Sequence, residues 1–111
     1  MGIRENEILP GTLDLMILRA VEREPAHGYA IVEAIRLGSG EMFRVEEGAL
    51  YPALHRLQKK GWLAAGWGES EAKRKAKYYR LTAAGRRQLT AERSRWKKLT
   101  EAMNLLLEGR A

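Results

Sequence analysis

The chain has 111 residues, 45% of them apolar, and no cysteine, which is material for one modest core and excludes a disulfide framework or a thiolate metal site. Twenty Lys and Arg against 14 Asp and Glu give a formal net charge of +6, a balance that draws a protein toward polyanions, nucleic acid first among them. No basic leader precedes an apolar run and no stretch approaches the ~20 apolar residues that span a bilayer, so the reading is a cytoplasmic protein with no membrane partner, no metal and no cofactor.

Residues 1–8 are charged and polar without a period and read as a flexible N-terminal arm, in which Arg4 is either a loose end or a DNA contact. From Leu9, the run Pro10-Gly11-Thr12 introduces a first helix with Leu13, Met16, Ile17, Ala20 and Val21 on one stripe, widened by Leu15 and Leu18. Glu24-Pro25 ends it and His27-Gly28 restarts the chain, with His27 a capping or turn residue because no second ligand lies near it. A second helix is predicted from Gly28 or Tyr29 to Leu37, with Ala30, Ile31, Ala34 and Ile35 inward and Glu33 and Arg36 outward. Tyr29, in its first turn, is placed either for a phosphate or for the core. Gly38-Ser39-Gly40 stops this helix, and the link to Glu47 holds Phe43 and Val45 at strand spacing, a short strand or an extended connection.

The stretch from Glu46 to Leu63 organises the rest. Leu50, Ala53, Leu54 and Leu57 recur as one buried face and Gly61 is a natural stop. Pro52 places the helix start near Glu47 to Ala49, since a proline is tolerated where no backbone N–H is needed. The opposite face presents Tyr51, His55, Arg56, Lys59 and Lys60 with no carboxylate among them. Such a face is either solvated or suited to phosphates and base edges.

After Gly61 the texture is that of strands: Trp62 to Trp67 and Tyr78 to Leu81 flank a polar connection that carries Lys73, Arg74, Lys75 and Lys77. Leu63, Ala65 and Trp67 alternate, as do Tyr79 and Leu81, so one face of this hairpin is expected to cover the helices, with a basic tip that is either solvated or aimed at a DNA backbone. Thr82 is a good N-cap for a last helix from Ala83 to Leu107, ~37 Å long at 1.5 Å per residue. Leu89, Trp96, Leu99, Met103 and Leu106 keep a heptad-like cadence, broken at Glu92. A helix this long on a domain this small asks for a partner, most simply its own copy across a two-fold axis. Trp96 either packs in that interface or walls a small-molecule pocket.

Together these elements predict a mainly α fold with a small β-hairpin: an arm (1–8), a winged helix-turn-helix DNA-binding domain (9–82) and one long C-terminal dimerisation helix (83–111). In that design the third helix enters the major groove, the wing grips flanking backbone, and a dimer sets two recognition helices ~34 Å apart on a pseudo-palindromic operator. His27 and His55 lack a nucleophile or paired carboxylate, and no phosphate-binding glycine motif is present, so no enzyme is expected. A winged module that binds only proteins is the alternative.

The blocks Leu13-Asp14-Leu15-Met16-Ile17-Leu18, His27-Gly28-Tyr29-Ala30, Glu47 to Leu57 and Tyr78-Tyr79-Arg80-Leu81-Thr82 closely resemble the PadR family of bacterial transcriptional regulators. The resemblance covers about Leu9 to Leu89 and implies a dimeric DNA-binding regulator, usually a repressor, released when a small molecule binds. Carried over by motif, Tyr29, Tyr51, Pro52, His55 and Arg56 lie at the DNA face beside the basic wing. One C-terminal helix resembles the shorter branch of the family. Family effectors include phenolic acids and flat aromatic compounds, which makes Trp96 the candidate effector-binding residue.

Overall fold

Three short helices, one long helix and two small sheets make up the computed structural model, which describes residues 2–4 and 11–109. Helix α1, Thr12–Ala20, starts after Gly11, whose φ of 89° suits a residue without a Cβ. The Leu9-Pro10 opening and residues 5–8 of the arm lie outside the described residues. Ile17 and Leu18 from α1 are fully buried, with Val21 just beyond it.

Strand β2, Ala26–His27, runs into α2, Gly28–Gly38, whose first turn is capped by His27 as Nδ1 accepts the Ala30 N–H at 3.2 Å. Ile31 and Ile35 face the core. Ala34 departs from the expected inward set: it is exposed, and Val32 packs against the core instead. The rotation follows the two isoleucines, which bury more apolar surface than an alanine can. Arg36, outward as expected, bridges Glu33 and Glu41 and so holds the turn after α2, while its hydrogen bond lowers the Glu33 pKa.

Helix α3 spans Glu47–Lys59 and buries Leu50, Ala53, Leu54 and Leu57, as its period requires. Pro52 sits in its second turn, beyond the first turn where a missing N–H is free of consequence. The helix carries on through it, leaving the Gly48 carbonyl without its i+4 amide.

The hairpin consists of β4, Leu63–Glu69, and β5, Lys75–Leu81, in antiparallel register from Leu63 opposite Leu81 to Glu69 opposite Lys75. Strand β2 adds to β5, pairing Ala26 with Tyr79 and His27 with Tyr78, so the wing belongs to a three-stranded sheet of order β2-β5-β4. A second pairing joins β1, Ile3–Arg4, to β3, Phe43–Arg44, in parallel.

Helix α4, Ala83–Leu107, begins at Thr82, whose hydroxyl accepts the Gly85 N–H at 3.0 Å and donates to the Gly61 carbonyl at 2.6 Å. The Thr82 N–H bonds the Trp62 carbonyl at 3.1 Å. Further along, Arg93 reaches Glu22 at 2.9 Å, and that hydrogen bond lowers the Glu22 pKa. From Glu101 to Gly109 every residue is exposed. The radius of gyration is 15.2 Å, against ~13 Å for a compact chain of this length.

Candidate nucleic-acid interface

The solvent side of α3 divides into two rows, because residues four apart stack along a helix. Tyr51, His55 and Lys59 form one and Pro52, Arg56 and Lys60 the other, and all six are exposed. The rows differ in what they touch. Arg56 donates through Nη2 to Oδ1 of Asp14 on α1, and the Lys60 ammonium lies 4.7 Å from the centre of the Trp62 ring. The face that the sequence presents as free of carboxylates therefore acquires one from α1, and its second row leans toward α1 and the root of the wing.

The first row is anchored at its N-terminal end by a close approach. A Cβ at Gly28 would lie 2.5 Å from the Tyr51 hydroxyl, so the phenol rests on the backbone where α2 begins. Tyr29, the next residue, is 72% exposed and belongs to the surface rather than the core. Tyr79 is buried, and burial together with the nearby Tyr51 phenol raises its pKa. The α2 start, the Tyr51 row and β5 thus converge on one surface.

The wing continues that surface. Period-two alternation puts Leu63, Ala65, Trp67 and Glu69 on the same face as Leu81, Tyr79, Lys77 and Lys75. The root of this face covers the helices as expected, but Trp67 lies beyond the core and is 67% exposed. Of the four basic residues assigned to the tip, Lys73 and Arg74 occupy the turn, where Lys73 has a φ of 58°; Lys75 and Lys77 are strand residues on the Trp67 face. Their ammonium groups lie 5.0 Å from the Trp67 ring and 5.7 Å from the Tyr79 ring.

On α4, Trp96, Leu99, Met103 and Leu106 form an exposed apolar stripe, Trp96 at 41%. Leu89 is corrected from the proposed interface set: at 1% exposure it is enclosed by this chain's own core and has no surface left for a second copy. A groove of about 250 Å³ runs between α1 and α4, lined by Thr12, Leu15, Trp96 and Leu99 with Glu92 and Arg95 at its polar side. Glu92, the break in the apolar cadence, is held by Gln88 and Arg95.

Sequence reasoning missed β1, whose pairing with β3 ties Ile3–Arg4 of the arm read as flexible to the fold, as well as β2, the Asp14 partner of Arg56, and the position of Trp67 outside the core. For Trp67 the signal was available: the two strands outrun the three helices they are required to cover.

Three helices with a three-stranded sheet whose β4–β5 hairpin projects beside the third helix define a winged helix-turn-helix protein. The Transcriptional regulator PadR-like family matches residues 17–91, and this chain belongs to that family. A PadR family transcriptional regulator from Eggerthella lenta is 37% identical, with a TM-score of 0.74 over 89% of this chain and 84% of its own. A PadR-like transcriptional regulator from Bacillus cereus is 30% identical, with a TM-score of 0.77 over 89% and 94%. A Lysinibacillus sphaericus protein is 33% identical over 104 residues, 94% of this chain and 95% of its own. The chain is thus a DNA-binding regulator of transcription and not an enzyme. No helix among the described residues is long and apolar enough to cross a membrane.

Proposed function

We propose that this regulator is a homodimeric repressor in the cytoplasm that binds a pseudo-palindromic operator and leaves it when a flat aromatic compound binds beside Trp96. The observation that carries the reading is the set of exposed polar and basic side chains on α3, Tyr51, His55 and Lys59, together with Lys77 and Lys75 on the β5 face that leads to it through Tyr79. Row spacing along α3 suits major-groove entry, with Tyr29 and Pro52 at the edge and Lys73 and Arg74 reaching the flanking backbone. Arg56 and Lys60 serve this surface from the side, one hydrogen bond of Arg56 being given to Asp14. Dimerisation through Trp96, Leu99, Met103 and Leu106 is supported by their exposure along one stripe of a helix that leaves the core. The effector reading rests on the adjoining groove, which Leu15, Trp96 and Leu99 line on its apolar side.

A mobility-shift titration with DNA from upstream of the gene, against an unrelated fragment of equal length, tests the reading across salt. Preferential binding with a steep salt dependence, relieved by planar aromatic acids, is the expected result. Equal and weak binding to both fragments sinks it in favour of a winged module that binds proteins.

A further inference from the structure

We propose that Trp67 is a DNA contact in its own right, its indole packing into the minor groove that flanks the α3 site. This rests on the operator-binding reading above and adds an apolar contact to a wing otherwise characterised only by charge.

An aromatic ring that large is seldom left two-thirds in water, since burying it is among the largest apolar gains a side chain offers. Trp67 is 67% exposed all the same, because β4 carries it past the last helix it could cover. The ring nonetheless has a defined setting. It stands opposite Lys77 in the strand register, with the Lys75 ammonium 5.0 Å from its centre, and Glu69 opposite Lys75 at the far end. The same face continues inward to Tyr79, over which Lys77 lies, and so to the Tyr51 row of α3.

The reverse face of the wing is braced. The Tyr78 ring lies across Gly68, where a Cβ would meet it at 3.0 Å, and its hydroxyl donates to the Glu69 carbonyl at 2.9 Å. His27 meets that ring edge-on with centroids 5.3 Å apart. Trp67 is therefore presented on a stiffened hairpin, which lowers the conformational cost of using it in binding.

Charge selects the occupant. Between Leu63 and Leu81 the wing carries Lys73, Arg74, Lys75, Lys77 and Arg80 against Glu69 and Glu71. An apolar ring with the Lys75 ammonium beside it and Lys77 opposite it in the strand register fits a ligand with an apolar floor beside anionic rails. The minor groove is such a ligand: sugars and base edges form its floor, phosphates its rails.

The test uses the full chain and a fluorescein-labelled duplex from upstream of the gene, titrated across salt. Trp67→Ala is expected to weaken binding about tenfold at every salt concentration, with the slope of log K against log salt unchanged. Lys75→Ala should instead reduce that slope by about 0.9, the value for one phosphate contact. Tryptophan emission should be quenched on DNA binding in the unmodified protein and in Trp96→Phe. The quench should be smaller in Trp67→Phe than in the unmodified protein, and reduced to the same degree in the unmodified protein when netropsin already fills the minor groove. Full affinity in Trp67→Ala, or a quench as large in Trp67→Phe as in the unmodified protein, overturns the assignment of Trp67 and leaves the operator reading intact. Failure of the unmodified protein to bind DNA at any salt overturns both.

Discussion

Arg56 on α3 gives an Nη2 N–H to the carboxylate of Asp14 on α1, a pair 42 residues apart in sequence. Asp14 is the more enclosed partner, its side chain 16% exposed against 48% for Arg56, so α1 holds the guanidinium rather than the reverse. One fork of the arginine is spent while its remaining N–H groups are aimed by that anchor. Asp14 also sets a negative charge beside the surface proposed to meet phosphates.

Removing this carboxylate separates aim from charge. Asp14→Ala is expected to cost no more than ~1 kcal/mol of stability, as for other half-exposed pairs. Non-specific DNA binding should strengthen slightly, because a repulsive charge is gone. Discrimination between operator and unrelated DNA should fall about tenfold, through a less well-aimed Arg56. Competition mobility shifts read both quantities, and an unchanged ratio means that the pair serves stability alone.

Gly28→Ala tests the support of Tyr51. The added Cβ meets the far end of a side chain, not backbone, so Tyr51 moves and the fold survives, with a loss below ~1 kcal/mol. Operator affinity is expected to fall about fivefold. In a Tyr51→Ala background the same change should have no further effect, because the displaced group is already absent. Additive losses in that double mutant refute the coupling.

Gly85→Ala should act quite differently. Its Cβ would lie 2.1 Å from the Trp62 carbonyl oxygen and 2.9 Å from Leu81 Cδ1, a conflict with backbone that no rotamer relieves. A loss of ~2–4 kcal/mol is expected despite the better helix propensity of alanine. Gly48→Ala, with nothing within 4 Å of the new methyl, should be neutral or stabilising. Urea midpoints compare the two, and a stable Gly85→Ala protein removes the close approach from the account.

Leu99 and Leu89 separate association from folding. Leu99→Glu places a charge on the exposed stripe and should weaken the proposed dimer by more than ~2 kcal/mol while the monomer stays folded. Leu89→Ala opens a hole in a buried position and should cost ~2–5 kcal/mol of stability. Sedimentation velocity and thermal melts distinguish them; a persistent Leu99→Glu dimer disproves the stripe as the interface.

Helices were legible wherever one residue type dominated a stripe. The α3 spacing of Leu50, Ala53, Leu54 and Leu57 and the Thr82 N-cap both reappear in the structure. Legibility failed where a residue's role depends on something distant in sequence. Ala26-His27 is too short to signal a strand and becomes one only by lying along Tyr78-Tyr79. Ala34 fits the inward period, yet Val32 takes the inner position. Leu89 and Leu99 sit on one cadence, but only the first still has a core beside it. For the candidate site, the polar face of α3 could be read directly, whereas Asp14 beside Arg56 required the packing of α1 on α3.

The hydrogen bonds from Thr82 to the Gly61 and Trp62 carbonyls, with Gly85 pressed on the latter, weld the end of α3 to the start of α4. The helix proposed for recognition and the helix proposed for association are thereby bonded to one another at their junction. In the proposed dimer joined through α4, each α3 would lie about 17 Å from the two-fold axis, so opposite turns of the two arms by about 5° each shift the two α3 helices relative to one another by about 3 Å, roughly one base-pair step. A wedge of atomic thickness between two such arms is enough to put the protein out of phase with its DNA.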